Sequence, residues 1–252
     1  MTPQNDAGQN GAGLRVEPVR ERPARSRLLE LPQLRHWIAV PFGMSVIVFA
    51  LGLAAMTPAY QASELAIDQR LSTEHVAWLN AVSLAIEQIL GPRGAIAILL
   101  LLLVGLWAVR RTPVDAIAVV GVTAFGWVFS LIFKYAIHRH RPDPGLLADP
   151  LSPDMDPNSF PSGHVCFAVS LTIALYFLLR HRRWSPWILA AGFAVSAFAA
   201  WTRVYVGVHY PMDVLASFPA SIAGILLFSG IWNRLAPPIL GKLPFIARLE
   251  SR

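Results

Sequence analysis

Six long apolar stretches recur along the chain, and short polar segments separate them. Their bounds are 37–56, 94–109, 114–137, 164–179, 187–202 and 211–232. A helix needs roughly 17 to 25 mostly apolar residues to cross the ~30 Å hydrocarbon core of a bilayer. Inside that core, a backbone satisfies its hydrogen bonds only in helices or closed barrels. The stretches therefore predict an all-α, polytopic membrane helical bundle with six transmembrane helices.

The composition agrees with a membrane protein. Apolar residues make up 55% of the chain and charged residues only 14%, whereas soluble domains carry about 25% charged residues. No long polar linker interrupts the stretches, so we expect one membrane domain. Cys166 is the only cysteine, which excludes an intrachain disulfide.

Two segments outside the stretches also carry information. Residues 1–30 are rich in Gly, Pro, Asn, Gln and Arg, which predicts a disordered basic tail. This long charged tail and the later apolar stretches favour an uncleaved first helix over a cleaved signal peptide.

Residues 72–90 place Val, Leu and Ile near helical spacing. This pattern predicts a short amphipathic helix at the membrane surface, between the first two transmembrane helices, and Gly91-Pro92 would end it. The alternative is that part of it lengthens the second transmembrane helix.

The distribution of Lys and Arg predicts the orientation, because cytoplasmic loops and tails carry an excess of both. An N-terminus placed inside gives the cytoplasm 15 of the 21 cations, in the two tails and in the loops after the second and fourth stretches. We therefore expect a multi-pass protein of the cell (inner) membrane with both termini cytoplasmic. The net charge of +6 does not indicate nucleic-acid binding, since the arginines form short clusters between apolar stretches and no basic face.

Three polar clusters interrupt the apolar stretches, and in this orientation all three lie on the extracytoplasmic side. They are Lys134 with Arg141-Pro142, the run Pro161-Ser162-Gly163-His164, and Thr202-Arg203 with His209 and Asp213. Each has an ordinary explanation when taken alone: a cation that snorkels, a serine that caps a helix, or a histidine that packs at the interface. Ionisable groups in or at a membrane are costly and usually functional, so the convergence of all three predicts a site.

The cations and the serine turn suit the binding of a phosphate. Lys134, Arg141 and Arg203 would supply positive charge. Seven residues, about two helical turns, separate the first two, and the proline after Arg141 favours an extended backbone there. Ser162 and the backbone N–H groups around Gly163 would lie at a helix N-terminus, where an anion is favoured. Phosphoryl transfer relies largely on such positioning and electrostatic stabilisation.

The histidines would carry the chemistry. His209 and Asp213 are four residues apart, so a helix beginning there lets the carboxylate hold one imidazole nitrogen and leaves the other to attack phosphorus. His164 would protonate the leaving oxygen.

Metal binding is the competing interpretation, because histidines and aspartates are concentrated in this part of the sequence. They are His138, His140, His164, His209, Asp143, Asp149, Asp154, Asp156 and Asp213. Their spacing matches no standard zinc or calcium loop, and three cations beside the histidines would repel a metal. We expect no metal and no other cofactor.

At these positions the chain closely resembles the type 2 phosphatidic acid phosphatase family, which is related to the vanadium-dependent haloperoxidases and to glucose-6-phosphatase. The resemblance lies in the order and spacing of the three clusters, and the six-helix layout extends it over most of the chain. It implies a helical bundle without a metal cofactor and a phosphohistidine intermediate on His209, with His164 as the acid. Thr202 stands where the family usually has serine, and the hydroxyl is retained.

The resemblance also implies the function and the domain layout. Residues 31–235 would form a membrane phosphatase domain between the tail 1–30 and a short cytoplasmic tail, 236–252. We expect a lipid phosphatase for a phosphate ester or anhydride, of the undecaprenyl pyrophosphate, phosphatidic acid or phosphatidylglycerol phosphate type. Its site would face the extracytoplasmic side, covered by the acidic loop 143–160. The alternatives are a lipid phosphotransferase with the same intermediate and a non-enzymatic membrane protein, such as a transporter or scaffold.

Overall fold

Helices dominate this computed structural model, which describes residues 28–152 and 157–240. In chain order the α-helices are α1 (Ala39–Ala55), α2 (Pro58–Ser72), α3 (Ala77–Leu90), α4 (Pro92–Arg110), α5 (Pro113–Ile137), α6 (Gly163–Leu179), α7 (Ser185–Tyr205) and α8 (Pro211–Leu240). A short 3-10 helix, Pro144–Leu146, precedes α6. The described part of the chain contains no strand, so the all-α prediction is confirmed.

Proline fixes the start of most helices. α2, α4, α5 and α7 have a proline in the first turn, and α8 begins at Pro211. The missing N–H of proline costs no helical hydrogen bond at that position. The end of α5 is set differently, because His138 adopts a left-handed backbone with φ 52°. Its N–H still donates to the carbonyl of Lys134 at 3.3 Å, and the chain then leaves the helix.

Four helices, α4, α5, α7 and α8, are long and apolar enough to cross a membrane. α1 and α2 pass the same test only as a pair bent by 82°, so the described residues contain four or five candidate spans. α6 is apolar but has only 17 residues, and it packs against α5, α7 and α8. Several apolar helices thus agree with a polytopic bundle, and the count of six crossing helices stays a prediction.

The region between the first two apolar stretches contains two helices, α2 and α3. α3 occupies the place of the predicted amphipathic helix and ends before Gly91, as expected. Its location at the membrane surface stays a prediction. The sequence pattern does not reveal α2, because the polar residues Glu64, Asp68 and Ser72 recur every four positions on its buried face. A helix that buries its polar side has no apolar stripe for periodicity to detect.

Small residues let the central helices approach closely. A Cβ added at Gly126 of α5 would overlap Ser170 of α6, and one added at Gly224 of α8 would overlap Phe129 of α5. Such close approach stabilises helix pairs in membranes, where lipid is as apolar as the helix surface. α5, α6 and α8 therefore form the centre of the bundle.

The segment before α1 is tied to the beginning of α5 and the later turns of α8. The N–H of Leu28 donates to Oδ1 of Asp115 at 2.9 Å, and its carbonyl accepts from Nε1 of Trp232 at 3.1 Å. Asn233 accepts from the N–H of Leu31 at 2.7 Å and donates to its carbonyl at 2.9 Å. Residues 1–27 and 241–252, which hold most of the two predicted tails, lie outside the described residues.

Candidate active site

The three polar clusters meet where four helix ends come together. Lys134 lies in the last turn of α5 and Arg203 in the last turn of α7, whereas His164 and Asp213 lie in the first turns of α6 and α8. A cavity of about 240 Å³ opens there. The predicted site residues that line it are Lys134, Arg141, Gly163, His164 and His209. The structure therefore brings the clusters together, as the sequence predicts.

Lys134 and Arg141 place two cations at the cavity. Nζ of Lys134 donates to the carbonyl of Asn158 at 2.7 Å, and Nη1 of Arg141 donates to the carbonyl of Val208 at 2.7 Å. The seven-residue separation between these cations is helical only at its start, because α5 ends three residues after Lys134, and the predicted extended backbone begins before Arg141. Arg141 instead follows His140, which forms an isolated bridge with Asn158. The proline after Arg141 favours this extended backbone.

Ser162 occupies the N-cap position of α6 without making a side-chain cap bond. Its hydroxyl is fully buried and has no hydrogen-bond partner among the described residues. Its backbone N–H donates to Oγ of Ser217 at 2.9 Å and to the carbonyl of Asp213 at 3.2 Å. A buried hydroxyl without a partner costs free energy, so capping does not explain this serine. A hydroxyl at a helix N-terminus fits the predicted phosphate contact.

Arg203 is fully buried and joins α7 to α3. It donates to Oε2 of Glu87 at 2.8 Å and to the carbonyl of Ser83. Glu87 also accepts from Oγ of Ser152 at 2.7 Å, and its backbone carbonyl accepts from Nε2 of His164 at 3.2 Å. The sequence indicates Glu87 only as a polar position on an amphipathic helix. Its place between two predicted site residues is therefore a finding of the structure.

His209 lies in the turn between α7 and α8, and its side chain is buried. Its Nε2 is 3.1 Å from Nη1 of Arg141. A guanidinium only donates hydrogen bonds, so Nε2 accepts and Nδ1 carries the ring proton. Nδ1 lies 3.5 Å from Oδ2 of Asp213. Nδ1 makes no hydrogen bond within the described part of the chain, so its relation to Asp213 is a long electrostatic contact.

Burial lowers the pKa of His209 well below its ordinary value of 6.5, and the positive charges of Arg141 and Lys134 lower this pKa further. The residue precedes α8 and lies outside the candidate membrane spans. A histidine whose pKa is lowered is neutral near pH 7. The neutral ring is the form whose free nitrogen acts as a nucleophile.

The cavity has a polar end and an apolar side. The apolar side comes from the junction of α3 and α4 and from α5, and consists of Leu90, Pro92, Trp127, Val128, Leu131 and Tyr135. Val128 is 52% exposed and Tyr135 is 61% exposed. The apolar side therefore continues onto the outer surface of the bundle.

No three His, Cys, Asp or Glu side chains within residues 28–152 and 157–240 are placed to hold one metal ion. Asp154 and Asp156, which belong to the metal interpretation, lie outside these ranges. The ionisable side chains that line the cavity, apart from Tyr135, are the cations Lys134 and Arg141 and the histidines His164 and His209.

Comparison with known proteins gives one family and several relatives. The model of the PAP2 superfamily matches residues 115–236. Phosphatidylglycerophosphatase B of Bacillus subtilis (strain 168) is 30% identical over 194 residues, which are 73% of this chain and 90% of that relative. The putative undecaprenyl-diphosphatase YbjG of Escherichia coli (strain K12) is 38% identical over 86 residues, or 34% of this chain and 41% of that relative. The undecaprenyl-diphosphatase of Sulfolobus acidocaldarius is 34% identical over 43% of this chain and 51% of that relative. The match thus spans only about two fifths and one half of these last two proteins.

A solved structure has the same fold. It is the crystal structure of a transmembrane PAP2 type phosphatidylglycerolphosphate phosphatase from Bacillus subtilis, with a TM-score of 0.66 and 24% sequence identity. The superposition covers 79% of this chain and 98% of that one. Together with the apolar helices, this likeness identifies the chain as a multi-pass membrane protein.

Proposed function

This chain belongs to the PAP2 superfamily, and from that premise we propose that it is an enzyme that hydrolyses the phosphate ester or anhydride of a membrane lipid. The observation that carries the proposal is the position of His209. Its Nε2 accepts from Arg141 at 3.1 Å at the polar end of a cavity whose side is apolar. A nucleophile, a cationic clamp and a surface suited to a lipid chain are combined in one place.

In the first step Nε2 of His209 attacks phosphorus, an N–P bond forms, and the P–O bond to the lipid breaks. Arg141 exchanges its contact with Nε2 for a phosphate oxygen. There, with Lys134, it stabilises the negative charge that the transition state spreads over the oxygens. The hydroxyl of Ser162 and the N–H groups at the start of α6 are further donors. The ring becomes a phosphorylated imidazolium, and the carboxylate of Asp213 balances its charge.

His164 acts first as the general acid and then as the general base. Its Nε2–H donates to the carbonyl of Glu87 at 3.2 Å, so Nδ1 is the atom that passes a proton to the leaving oxygen. Water then attacks the phosphohistidine and gives a proton to the now neutral His164. Inorganic phosphate leaves, and both histidines return to their starting states.

The apolar side of the cavity supports a lipid substrate. It joins the polar end to the outer surface along α5, so a lipid whose phosphate meets Arg141 has an apolar path for its chain. The names of the relatives cover two substrate classes, a polyprenyl diphosphate and a phosphatidylglycerol phosphate. We propose a substrate of these classes or the related phosphatidic acid.

The proposed orientation places both termini in the cytoplasm and the site on the extracytoplasmic face. The contacts of Leu28 with Asp115 and Trp232 support a shared side for the two ends of the described chain, away from the site. The cation distribution supports the choice of side, because most of the Lys and Arg residues precede α1, follow α8 or lie between α4 and α5 and between α6 and α7 in the sequence.

The test is the release of inorganic phosphate by the purified protein in detergent, in excess chelator. The panel contains a polyprenyl diphosphate, phosphatidic acid, phosphatidylglycerol phosphate and a water-soluble phosphate ester. We expect release from at least one lipid at a higher kcat/KM than from the soluble ester. We also expect no effect of the chelator, because the cationic clamp supplies the positive charge.

Release of phosphate from no lipid would contradict the proposal. Transfer of phosphate to a lipid acceptor would favour the phosphotransferase, and inhibition that one divalent ion relieves would contradict metal independence.

A further inference from the structure

Arg139 lies between two carboxylates, although it is not one of the predicted site residues. Its side chain is 1% exposed. Nη1 donates to Oδ1 of Asp213 at 2.6 Å, and Nη2 donates to Oε2 of Glu64 at 2.5 Å. Its Cζ lies 4.2 Å from the ring centroid of Tyr210. The guanidinium is thus held on two edges and one face, and it does not line the cavity that contains His209.

The two oxygens of Asp213 have different partners. Oδ1 accepts from Arg139, whereas Oδ2 accepts from the N–H of Tyr210 at 2.9 Å and faces Nδ1 of His209 at 3.5 Å. These contacts fix the plane of the carboxylate. Arg139 and the N–H of Tyr210 together therefore determine which oxygen is directed at the imidazole.

Glu64 connects α2 to the same position. Its Oε1 accepts from the N–H of Met212, in the first turn of α8, at 2.6 Å, and its Oε2 accepts from Arg139. The residue is 3% exposed. A carboxylate at a helix N-terminus is favoured by the helix dipole. Glu64 thereby ties Arg139 to the helix that carries Asp213, and these contacts account for its own burial on the polar face of α2.

We infer that Arg139 and Glu64 are a positioning pair that directs the carboxylate of Asp213 at His209, an inference that rests on the proposed role of His209 as the nucleophile. A buried carboxylate keeps its charge and its orientation only with a cation and hydrogen bonds around it. Without Arg139, Asp213 loses the partner of Oδ1, and its Oδ2 is no longer directed at the Nδ1–H of His209. Neither member of the pair lines the cavity, so substitution of either residue should lower kcat and leave KM unchanged.

A double-mutant cycle in the full-length protein tests the inference. Arg139→Met should lower kcat by about 10- to 100-fold, as loss of an orienting group does at other sites, and Arg139→Lys should recover part of the loss. In an Asp213→Asn background, Arg139→Met should cost less than about threefold, because the group that it orients is already altered. Losses that multiply in the double variant, or a raised KM with unchanged kcat, would overturn the inference.

Two further variants separate positioning from stability. Arg234 contacts the ring of Trp37 and the carbonyl of Gly230, away from the site, so Arg234→Met should change the melting temperature and leave kcat unchanged. If Arg139→Met does not fold, Glu64→Gln takes its place. It keeps an acceptor for the N–H of Met212 and should lower kcat by about three- to tenfold. An unchanged kcat in folded Glu64→Gln would overturn the inference.

Nitrogen NMR of ¹⁵N-histidine-labelled protein gives a readout that does not depend on turnover. The signals of His209, assigned by their loss in His209→Gln, should show the Nδ1–H tautomer both in the wild type and in Arg139→Met, because Arg141 donates to Nε2 in both proteins. The chemical shift of Nδ1 should differ between the two proteins, because the carboxylate that faces Nδ1 at 3.5 Å loses its hold in the variant. An unchanged Nδ1 shift in Arg139→Met would overturn the positioning role. A wild type that releases phosphate from no lipid would contradict the proposed function alone, and the Nδ1 shift would still test Arg139.

Discussion

Nη1 of Arg141 lies 3.1 Å from Nε2 of His209, so a positive charge rests on the nitrogen that we propose as the nucleophile. This contact keeps the proton of the ring on Nδ1, since an arginine cannot accept a hydrogen bond. A phosphate that enters the cavity offers Arg141 a stronger, charged acceptor. Substrate binding thereby uncovers the lone pair of Nε2 at the moment when phosphorus is next to it.

Loss of His209 should abolish turnover. We expect His209→Gln to lower kcat by at least about 10³-fold, because the attacking atom is removed while the rest of the site is kept. The measurement is phosphate release together with a thermal melt in detergent. His181→Gln, an exposed histidine after α6, is the matched control and should retain full activity. Substantial turnover by folded His209→Gln would exclude His209 as the nucleophile.

Removal of the positive charge of Arg141 should move the acidic limb of the pH profile upward. His209 must be neutral to attack, so activity is lost as pH falls through its pKa, which burial and the two cations hold below 6.5. Arg141→Gln should shift the limb of kcat/KM to higher pH, Lys134→Met should shift it in the same direction, and Arg141→Lys should leave it near the wild-type position. A limb that does not move in Arg141→Gln would mean that another group controls it.

The two histidines should respond differently to the leaving group. A lipid phosphomonoester leaves as an alkoxide and needs a proton, whereas a lipid diphosphate leaves as a phosphate and needs less protonation. His164→Gln should therefore lose about tenfold more kcat on the monoester than on the diphosphate of the same lipid, provided that the wild type accepts both. His209→Gln should be equally damaging on both. Equal losses for His164→Gln would assign it to phosphate positioning.

The orientation is testable with one introduced cysteine. Ala148 is exposed in the loop near the site, and Ala148→Cys in a Cys166→Ala background should react with an impermeant thiol reagent in intact cells. Arg183→Cys, between α6 and α7 and away from the site, should react only after lysis. The reverse pattern of labelling would invert the proposed topology.

The sequence predicts the meeting of the three clusters because chain direction alternates with each apolar stretch, and the clusters occupy stretch ends of one side. Helix starts at proline are similarly local and predictable. The third apolar stretch, 114–137, also predicts the end of α5 at Ile137. The left-handed backbone of His138 is not predictable in this way, because the position has no glycine. The proline after Arg141 predicts the extended segment in which Arg141 lies.

The sequence does not predict two ion pairs that support the site, and the reason is their long sequence separation. Glu64 and Arg139 are 75 residues apart, and Glu87 and Arg203 are 116 residues apart. Each pair forms only when distant helices pack, and no local spacing joins its members. Glu64 also belongs to a helix whose polar side faces inward. Apolar periodicity does not reveal such a side, because polar residues on a helix usually face solvent.

The contacts of Leu28 have a consequence for the order in which the protein is made. The indole of Trp232, which holds the carbonyl of Leu28, is synthesised 204 residues later, and α1 packs mainly on α8. α1 is therefore synthesised well before its main neighbour. A ribosome that stalls after α7 would leave α1 with only its smaller contacts to α5 and α2, so the packing of α1 is completed when α8 arrives.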